Sequence, residues 1–547
     1  MATVEVNKKD LEKLVGKTLD AAKLNEDLYN VKLELDREED ESMFIELEYD
    51  RADMLSTEGI ARQLRGYYGI ETGLKHYETK PSKSSVVIDK EMKKYRPYAE
   101  YFVALDVPFN DDSIKQIMQI QEKLHFVYAK DRELASIGVY DYDKTSKNFT
   151  YKALKPEQIS FVPLESVKKM NGKEVLKNHA KGMAFAHLLE ALDKYPVLAD
   201  DTGKVLSMPP IINSEDTKVD EKTKNLFVDV TGLDANVVKK ISVILATMLA
   251  ERGAKIETVY IEYGGENYTT PDLTPSERKI SPDYIRKNLG MNLETSEMTK
   301  LLKKQRMDAS LEHGEILVKI PCYRTDITHD MDLVEEVSCA YGLNNMKPIL
   351  PNVATIGEIH KIEKKAQKAR RTMTGLGFQE ILTFILSNKK AFDDCHEETL
   401  GLKNYQSEEY NCMRNSLIPK LIEFLQKNKH YEMPQKVFEC GEVLLVTNKG
   451  EEKTESPKHL AAAITSNDVG FTEIKSVCEA LLKNMKINAE YKPINDAKFI
   501  QGRAAEIIDN EKGRKIGVIG EINPEILSAF SLENPVALFE INVEKLL

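Results

Sequence analysis

The segment PCYRTDITHDMDLVEEVSCAYGL, residues 321–343, carries the acids whose spacing is best suited to chemistry. Asp332, Glu335 and Glu336 fall at i, i+3 and i+4, which puts three carboxylates on one helix face. Leu333, Val337 and Ala340 fall on the other side, and Asp326, on the lead-in, can reach back to the acidic face. Like charges at this spacing cost a helix about 0.2–0.5 kcal/mol per pair. A hard cation reverses that cost, and magnesium, which takes oxygen ligands and keeps several waters, needs only a few carboxylates. Spacing alone favours a plainer role, in which acids near a helix N-terminus offset its dipole.

A second concentration of polar groups surrounds HAKGMAFAHLLEALDKYPVLADD, residues 179–201. Its apolar positions predict an amphipathic helix over 182–194 with Met183, Phe185, Leu188, Leu189 and Leu192 inward. His187 on that helix is more simply a packed or exposed histidine than a catalytic one. The following stretch, LSMPPIINSEDTKV, sets Pro209, Pro210, Asn213, Ser214 and Glu215 just after a strand, a reasonable pocket rim. The basic run Lys361, Lys364, Lys365, Lys368, Arg370 and Arg371 could meet phosphates, although a solvated helix face is the commoner explanation.

Other motifs fail on spacing. GKT at 16–18 has Leu11 where a phosphate-binding loop needs glycine. GLGF at 375–378 and VIGE at 518–521 lack the dinucleotide spacing. His396-Glu397 meets Leu400 where a second metal-binding histidine would stand, and there is no G-x-S-x-G elbow.

These groups sit on a chain of 547 residues, long enough for three or four domains. Hydrophobic residues make up 41% and charged residues 30%, ordinary for a globular protein. The 77 Lys+Arg against 89 Asp+Glu leave a net charge of -12, which excludes a general nucleic-acid coat. Any RNA contact must be local or shared with a partner. The six cysteines contain no C-x-x-C pair, so a zinc site of cysteine pairs is excluded and reduced thiols are expected. The N-terminus has no signal-type apolar core, and the longest apolar stretch, 241–250, is interrupted and too short to span a bilayer. A cytoplasmic protein without a membrane association is expected.

The element pattern predicts a multidomain α+β chain. Residues 1–80 form an α/β domain with strands near 31–35 and 43–49 and a helix capped by Ser56 and stopped at Gly69. TKPSKSS, 79–85, reads as a linker. An α+β domain covers 86–265, with helices at 114–128 and 236–252 and strands at 205–212 and 226–230. A small module covers 270–346, with two short helices, a strand at 315–320 and a helix ending at Tyr341-Gly342. Residues 352–547 open on the basic helix and continue with strands at 437–439, 460–464, 504–508 and 516–519.

Four ordered segments resemble one family over nearly the whole chain. DRADMLSTEGIARQLRG resembles the N-R-x-D-L-x-x-x-G-I-A-R segment of phenylalanyl-tRNA synthetase β subunits, departing at Asp50 and Met54. KGMAFAHLLEAL with PPIINSEDT resembles the family's editing domain, YRTDITHDMDLVEE its metal-binding module, and MRNSLIPKLIEFL with QGRAAEI and IGVIGEINPEIL its catalytic-like domain. With no evident tRNA-binding insert or anticodon-binding tail, the chain looks archaeal in type.

The resemblance implies a β subunit of phenylalanine–tRNA ligase in an α2β2 heterotetramer, binding tRNA(Phe) and using ATP and magnesium. It implies an editing-type α+β domain that hydrolyses tRNA mischarged with tyrosine, a small helical/winged metal-binding module, and a C-terminal class II synthetase-like antiparallel-sheet domain lacking catalytic motifs. Arg414 and Arg503 stand near positions of the lost ATP motifs, so adenylate chemistry is expected on α. Carried over by position, Asp326, Asp332, Glu335 and Glu336 are the metal ligands. The editing-pocket candidates are Ser207, Asn213, Ser214, Glu215, Asp229, Thr231 and Asp234, acting on a positioned water. A free-standing hydrolase of mischarged tRNA and a non-catalytic RNA-binding scaffold are the competing readings.

Overall fold

The computed structural model describes residues 2–20, 22–109 and 111–546. The chain divides into two compact units, Met1–Leu350 and Pro351–Leu547.

The first unit begins with strand Ala2–Asn7, which pairs antiparallel with Ser42–Leu47, itself paired with Leu33–Glu39. Asn7 and Ser56 cap the helices Lys8–Val15 and Thr57–Tyr67 by accepting the N–H groups of Asp10 and Gly59. Ile60, Leu64 and Tyr67 give helix Thr57–Tyr67 an apolar stripe, but its polar face is buried too. Burial is tolerated because each charge is matched: Arg62 bonds Asp53 at 3.1 Å, and Glu58 pairs with Arg252 on a distant helix. Residues 1–80 have no core to themselves. Val4, Leu11, Ile60 and Leu64 pack in one cluster with Phe102, Val228 and Ile241.

A ten-stranded sheet forms the centre of this unit. Its path runs Ile212–Asn213, Val205–Met208, Tyr195–Asp200, Asn148–Leu154, Thr79–Ile88, Lys255–Tyr263, Tyr98–Leu105, Leu226–Gly232 and Ala135–Asp141, with Glu266–Thr270 added to Lys255–Tyr263. The supposed linker TKPSKSS is thus the first half of a central strand, parallel to both neighbours. Its exposed polar residues and a register shift opposite Pro81–Ser85 hid it, since proline is otherwise rare inside a ladder. The sheet curls until its ends meet. Tyr140, on the last strand, is hydrogen-bonded to Ser207 Oγ at 2.8 Å, and Asn213 lies within 3.4 Å of the Val139 carbonyl. Inside the curl, Phe227 stacks on Phe149 at 4.0 Å and on Tyr101 at 5.8 Å. Helix Ala235–Glu251 covers the outside.

The expected helix over 182–194 is a single turn and a half. Ala180–Phe185 is helical, a 3-10 turn follows, and Met183 points to solvent. Residues 276–341 form strands Ser276–Ile280, Glu315–Ile320 and Asp308–Glu312, in that sheet order, with helices Pro282–Leu289, Thr295–Lys304 and Asp330–Tyr341.

The second unit is a seven-stranded sheet in the order Gln379–Glu380, Gln435–Glu442, Lys458–Thr465, Val536–Asn542, Arg514–Ile522, Phe499–Asp509, Ala489–Pro493. All pairs except the first are antiparallel. Helices Lys361–Gly375 and Phe471–Asn484 cover one face through Ala366, Met373, Ile474 and Leu481. Helix Ile418–Lys427 covers the other through Leu421, Ile422 and Leu425.

Candidate functional site

Where the two ends of the ten-stranded sheet meet, a cavity of about 420 Å³ opens. Ser207, Asn213, Ser214 and Asp229 line it, together with Tyr140, His125 and Arg132. Its polar base is built by register. Gly138 lies opposite Asp229 across the pair Ala135–Asp141 and Leu226–Gly232, so the carboxylate projects over the glycine. Tyr140, two residues on, faces the same side and donates to Asp229, with its oxygen also 2.8 Å from Ser207 Oγ.

Gly138 is what leaves this space open. A Cβ there would stand 2.0 Å from Asp229 Oδ1 and 2.1 Å from the Tyr140 oxygen. Gly138→Ala is expected to push both groups into the cavity and to lower stability by about 1–3 kcal/mol, the usual range for overpacking. Denaturant unfolding checks this, and parental stability would refute the close approach.

Asp229 is 1% exposed, and its nearest cation, Arg96, is committed elsewhere. Arg96 donates to the Thr231 carbonyl at 2.7 Å and to Thr231 Oγ1 at 3.3 Å. Burial therefore pushes the Asp229 carboxyl up to about 7, against the Tyr140 hydrogen bond and the Arg96 charge that favour ionisation. A carboxyl poised there can act as base or acceptor near neutrality.

Several expected residues lie elsewhere. Glu215 accepts the Glu165 N–H at 2.8 Å and bonds Lys218 at 3.3 Å, so it ties together two residues of the cavity lining without lining the cavity itself. Asp234 caps helix Ala235–Glu251 by accepting the Asn236 and Val237 N–H groups. Thr231 holds Arg96, and His187 is exposed. Sequence reasoning missed Tyr140, His125, Arg132 and Gly138. The alternation Ser136, Gly138, Tyr140 was the available signal, with a glycine interrupting an apolar strand.

The four acids of 326–336 do not share one face. Glu336 is buried, Glu335 is exposed and Asp332 lies between. Arg324, fully buried, forks onto Asp326 at 2.6 and 2.9 Å and onto Glu336 at 2.8 and 3.0 Å. Lys32 bridges Glu335 at 2.9 Å and Glu336 at 3.2 Å. Asp332 accepts the Thr328 and His329 N–H groups at the helix start. Burial opposes ionisation of Asp326 and Glu336, yet Arg324 holds both carboxyls below their ordinary values. As an ion's ligand set in this chain the four do not fit. Among the described residues no three His, Cys, Asp or Glu are placed to hold a metal.

In the second unit Arg414 is buried against Glu439 at 2.7 Å, donates to the Glu442 carbonyl at 2.8 Å and leaves no room for a side chain at Gly441. Arg503 pairs with Glu521 at 2.6 Å.

Three family models match. One described as the phenylalanyl tRNA synthetase beta chain CLM domain covers residues 346–543, a tRNA synthetase B5 domain covers 278–343, and a B3/4 domain covers 110–260. Proteins named phenylalanine–tRNA ligase beta subunit are similar end to end. That of Pyrococcus horikoshii is 38% identical over 99% of both chains, and that of Methanocaldococcus jannaschii is 39% identical over all of both. That of Thermococcus sibiricus is 37% identical over 99% of this chain and 98% of its own. The crystal structure of an N-terminal fragment of the Pyrococcus horikoshii phenylalanyl-tRNA synthetase β subunit superposes with a TM-score of 0.61 at 38% identity, covering 62% of this chain and all of the fragment. Matched along its whole length, the chain belongs to the phenylalanine–tRNA ligase β-subunit family and is a subunit of an aminoacyl-tRNA synthetase.

Proposed function

We propose that this chain works in an α2β2 heterotetramer that charges tRNA(Phe) with phenylalanine using ATP, and that its own chemistry is hydrolysis of mischarged Tyr-tRNA(Phe). The observation that carries the editing role is the cavity whose buried base joins Asp229, Tyr140 and Ser207. Tyrosine differs from phenylalanine by one hydroxyl, and an apolar pocket discriminates such a group weakly. A site that hydrogen-bonds the hydroxyl discriminates far better, because a substrate lacking it leaves buried polar groups unpaired. Asp229 accepts the phenol O–H, Tyr140, itself bonded to Ser207, holds Asp229 in place, and Asn213 lines the ester end. Water adds its oxygen to the ester carbonyl carbon. The ribose oxygen leaves and takes a proton, giving free tyrosine and uncharged tRNA.

Adenylate formation falls to α. Arg414 and Arg503 are both engaged by glutamates of this chain, which supports a scaffolding role for the second unit. Magnesium belongs to the assembled ligase in this reading. Glu335 faces outward beside the half-buried Asp332, where oxygens of the partner could complete a shared site. A cytoplasmic location is supported by six free cysteines, five of them buried, and among the described residues no helix is long and apolar enough to cross a membrane.

Co-expression with an α chain tests the whole. The chain alone is expected to give no phenylalanine-dependent ATP–pyrophosphate exchange, and the pair to give both charging and Tyr-tRNA deacylation. Exchange by the chain alone would sink the division of labour. Asn213→Ala is expected to keep charging while Tyr-tRNA accumulates. Unchanged deacylation in that variant would remove Asn213 from the ester end.

A further inference from the structure

The last strand of the curled sheet, Ala135–Asp141, is an edge, and its outward peptide groups at Ile137 are covered by one neighbouring helical segment. Gln121 donates to the Ile137 carbonyl at 2.8 Å. The Ile137 N–H donates to His125 Nε2 at 2.8 Å. An imidazole nitrogen that accepts a backbone N–H carries no proton, so the neutral ring bears its hydrogen on Nδ1. His125 is 4% exposed, it lines the cavity, and Nδ1 has no protein partner among the described residues. Burial, helped by the charges of Arg132, Arg96 and Lys181, keeps the ring neutral by holding it well below the ordinary histidine value. Arg132, the charged neighbour in the same wall, is directed at the Ile211 carbonyl at 2.9 Å and packs over Phe185.

A buried donor without an acceptor costs about 1–3 kcal/mol, and Nδ1 of His125, a residue that lines the cavity, is such a donor. Asp229 accounts for the phenol at the polar base. Of the acceptors on a tyrosyl ester, the carbonyl oxygen is the one on which negative charge grows as water adds. We propose that His125 is a catalytic residue of the editing reaction, donating from Nδ1 to the carbonyl oxygen of the aminoacyl ester and to the negative charge that gathers there as water adds. This rests on the hydrolytic reading above. The ring neither gives up nor takes a proton. The pair of electrons released from the carbonyl double bond stays on the oxygen and returns when the ribose oxygen leaves.

The test separates donation from edge support. In His125→Met the thioether sulfur can still accept the Ile137 N–H weakly, but no donor remains. His125→Phe removes both. In the co-expressed ligase both variants are expected to charge tRNA with phenylalanine at the parental rate. Both are expected to lose about 10²-fold in kcat for Tyr-tRNA deacylation with KM little changed, the usual effect of removing one preorganised donor. Rescue by methionine, with only the phenylalanine variant impaired, would reduce His125 to a strut for the edge and overturn the proposal. Parental deacylation in both variants overturns it as well. A parental enzyme that fails to deacylate Tyr-tRNA would instead remove the hydrolytic reading and the proposal with it.

Discussion

Asp229→Asn is expected to abolish Tyr-tRNA editing while making the protein more stable at pH 8. The carboxyl is buried, and its folded value lies near 7 against an unfolded value near 3.8. A raised acid is favoured in its protonated form by the fold, so stability falls as pH climbs from about 4 to 7. At about 1.4 kcal/mol per unit, ionised Asp229 costs roughly 4 kcal/mol above pH 7. Asparagine keeps the shape and the Tyr140 contact without the charge. Its melting temperature should exceed that of the parent at pH 8, and the gap should narrow as pH falls toward 4. Editing moves the other way. Parental deacylation should rise with pH through about 7 as the acceptor ionises, whereas the variant should be flat and about 10²-fold or more slower. Equal melting temperatures at pH 8 would show that the carboxyl is not held in a hostile setting. Parental deacylation in the variant would take Asp229 out of the site.

Periodicity made the elements legible, and pairing across the sheet made them a site. The strand at 226–230 was readable because its apolar run is long, whereas the one expected over 205–212 ends at Met208 and reverses into Ile212–Asn213, which sets Asn213 opposite Ser207. Tyr140 and His125 were not readable. Tyr140 looks like an ordinary strand aromatic until the curl brings the last strand against Val205–Met208, an approach between residues 67 positions apart. His125 looks like a helix-face residue until the Ile137 amide is found beside it. The linker at 79–85 failed because composition reports exposure, and half of that strand is exposed. The 182–194 helix failed for a related reason: apolar spacing was present, but the chain turns into the strand Tyr195–Asp200 and buries Leu189 without a continuous helix. Glu58 and Arg62 mark a further limit. A polar helix face reads as solvated, yet here its partners arrive from Asp53 and from Arg252, far along the chain.

The same principle decides the acidic helix, where the family resemblance implied a metal ion and the fold supplies an arginine. Arg324 forks onto Asp326 and Glu336, and Lys32 joins Glu335 to Glu336, so the first eighty residues and the module at 270–346 are locked by charge. Glu251 adds a second lock: burial opposes its ionisation, but Arg62, Arg65 and Lys75 hold its carboxyl down at about 2. Depressed acids stabilise the fold above their unfolded values, so the parent should lose stability as pH falls from about 4.5 toward 2. Arg324→Met should cost about 3–5 kcal/mol at pH 7, because two buried carboxylates are left without their main counter-charge. Those carboxyls would then be pushed up by burial, so the deficit should shrink on acidification, opposite to the parent's trend. Urea unfolding at pH 7 and pH 4 measures both. A loss under about 1 kcal/mol at pH 7 would mean that the fork contributes little against its desolvation. Millimolar magnesium or EDTA should leave the melting temperature of the chain alone unchanged. A rise with magnesium would show that the acids hold an ion without a partner and that arginine does not stand in for it.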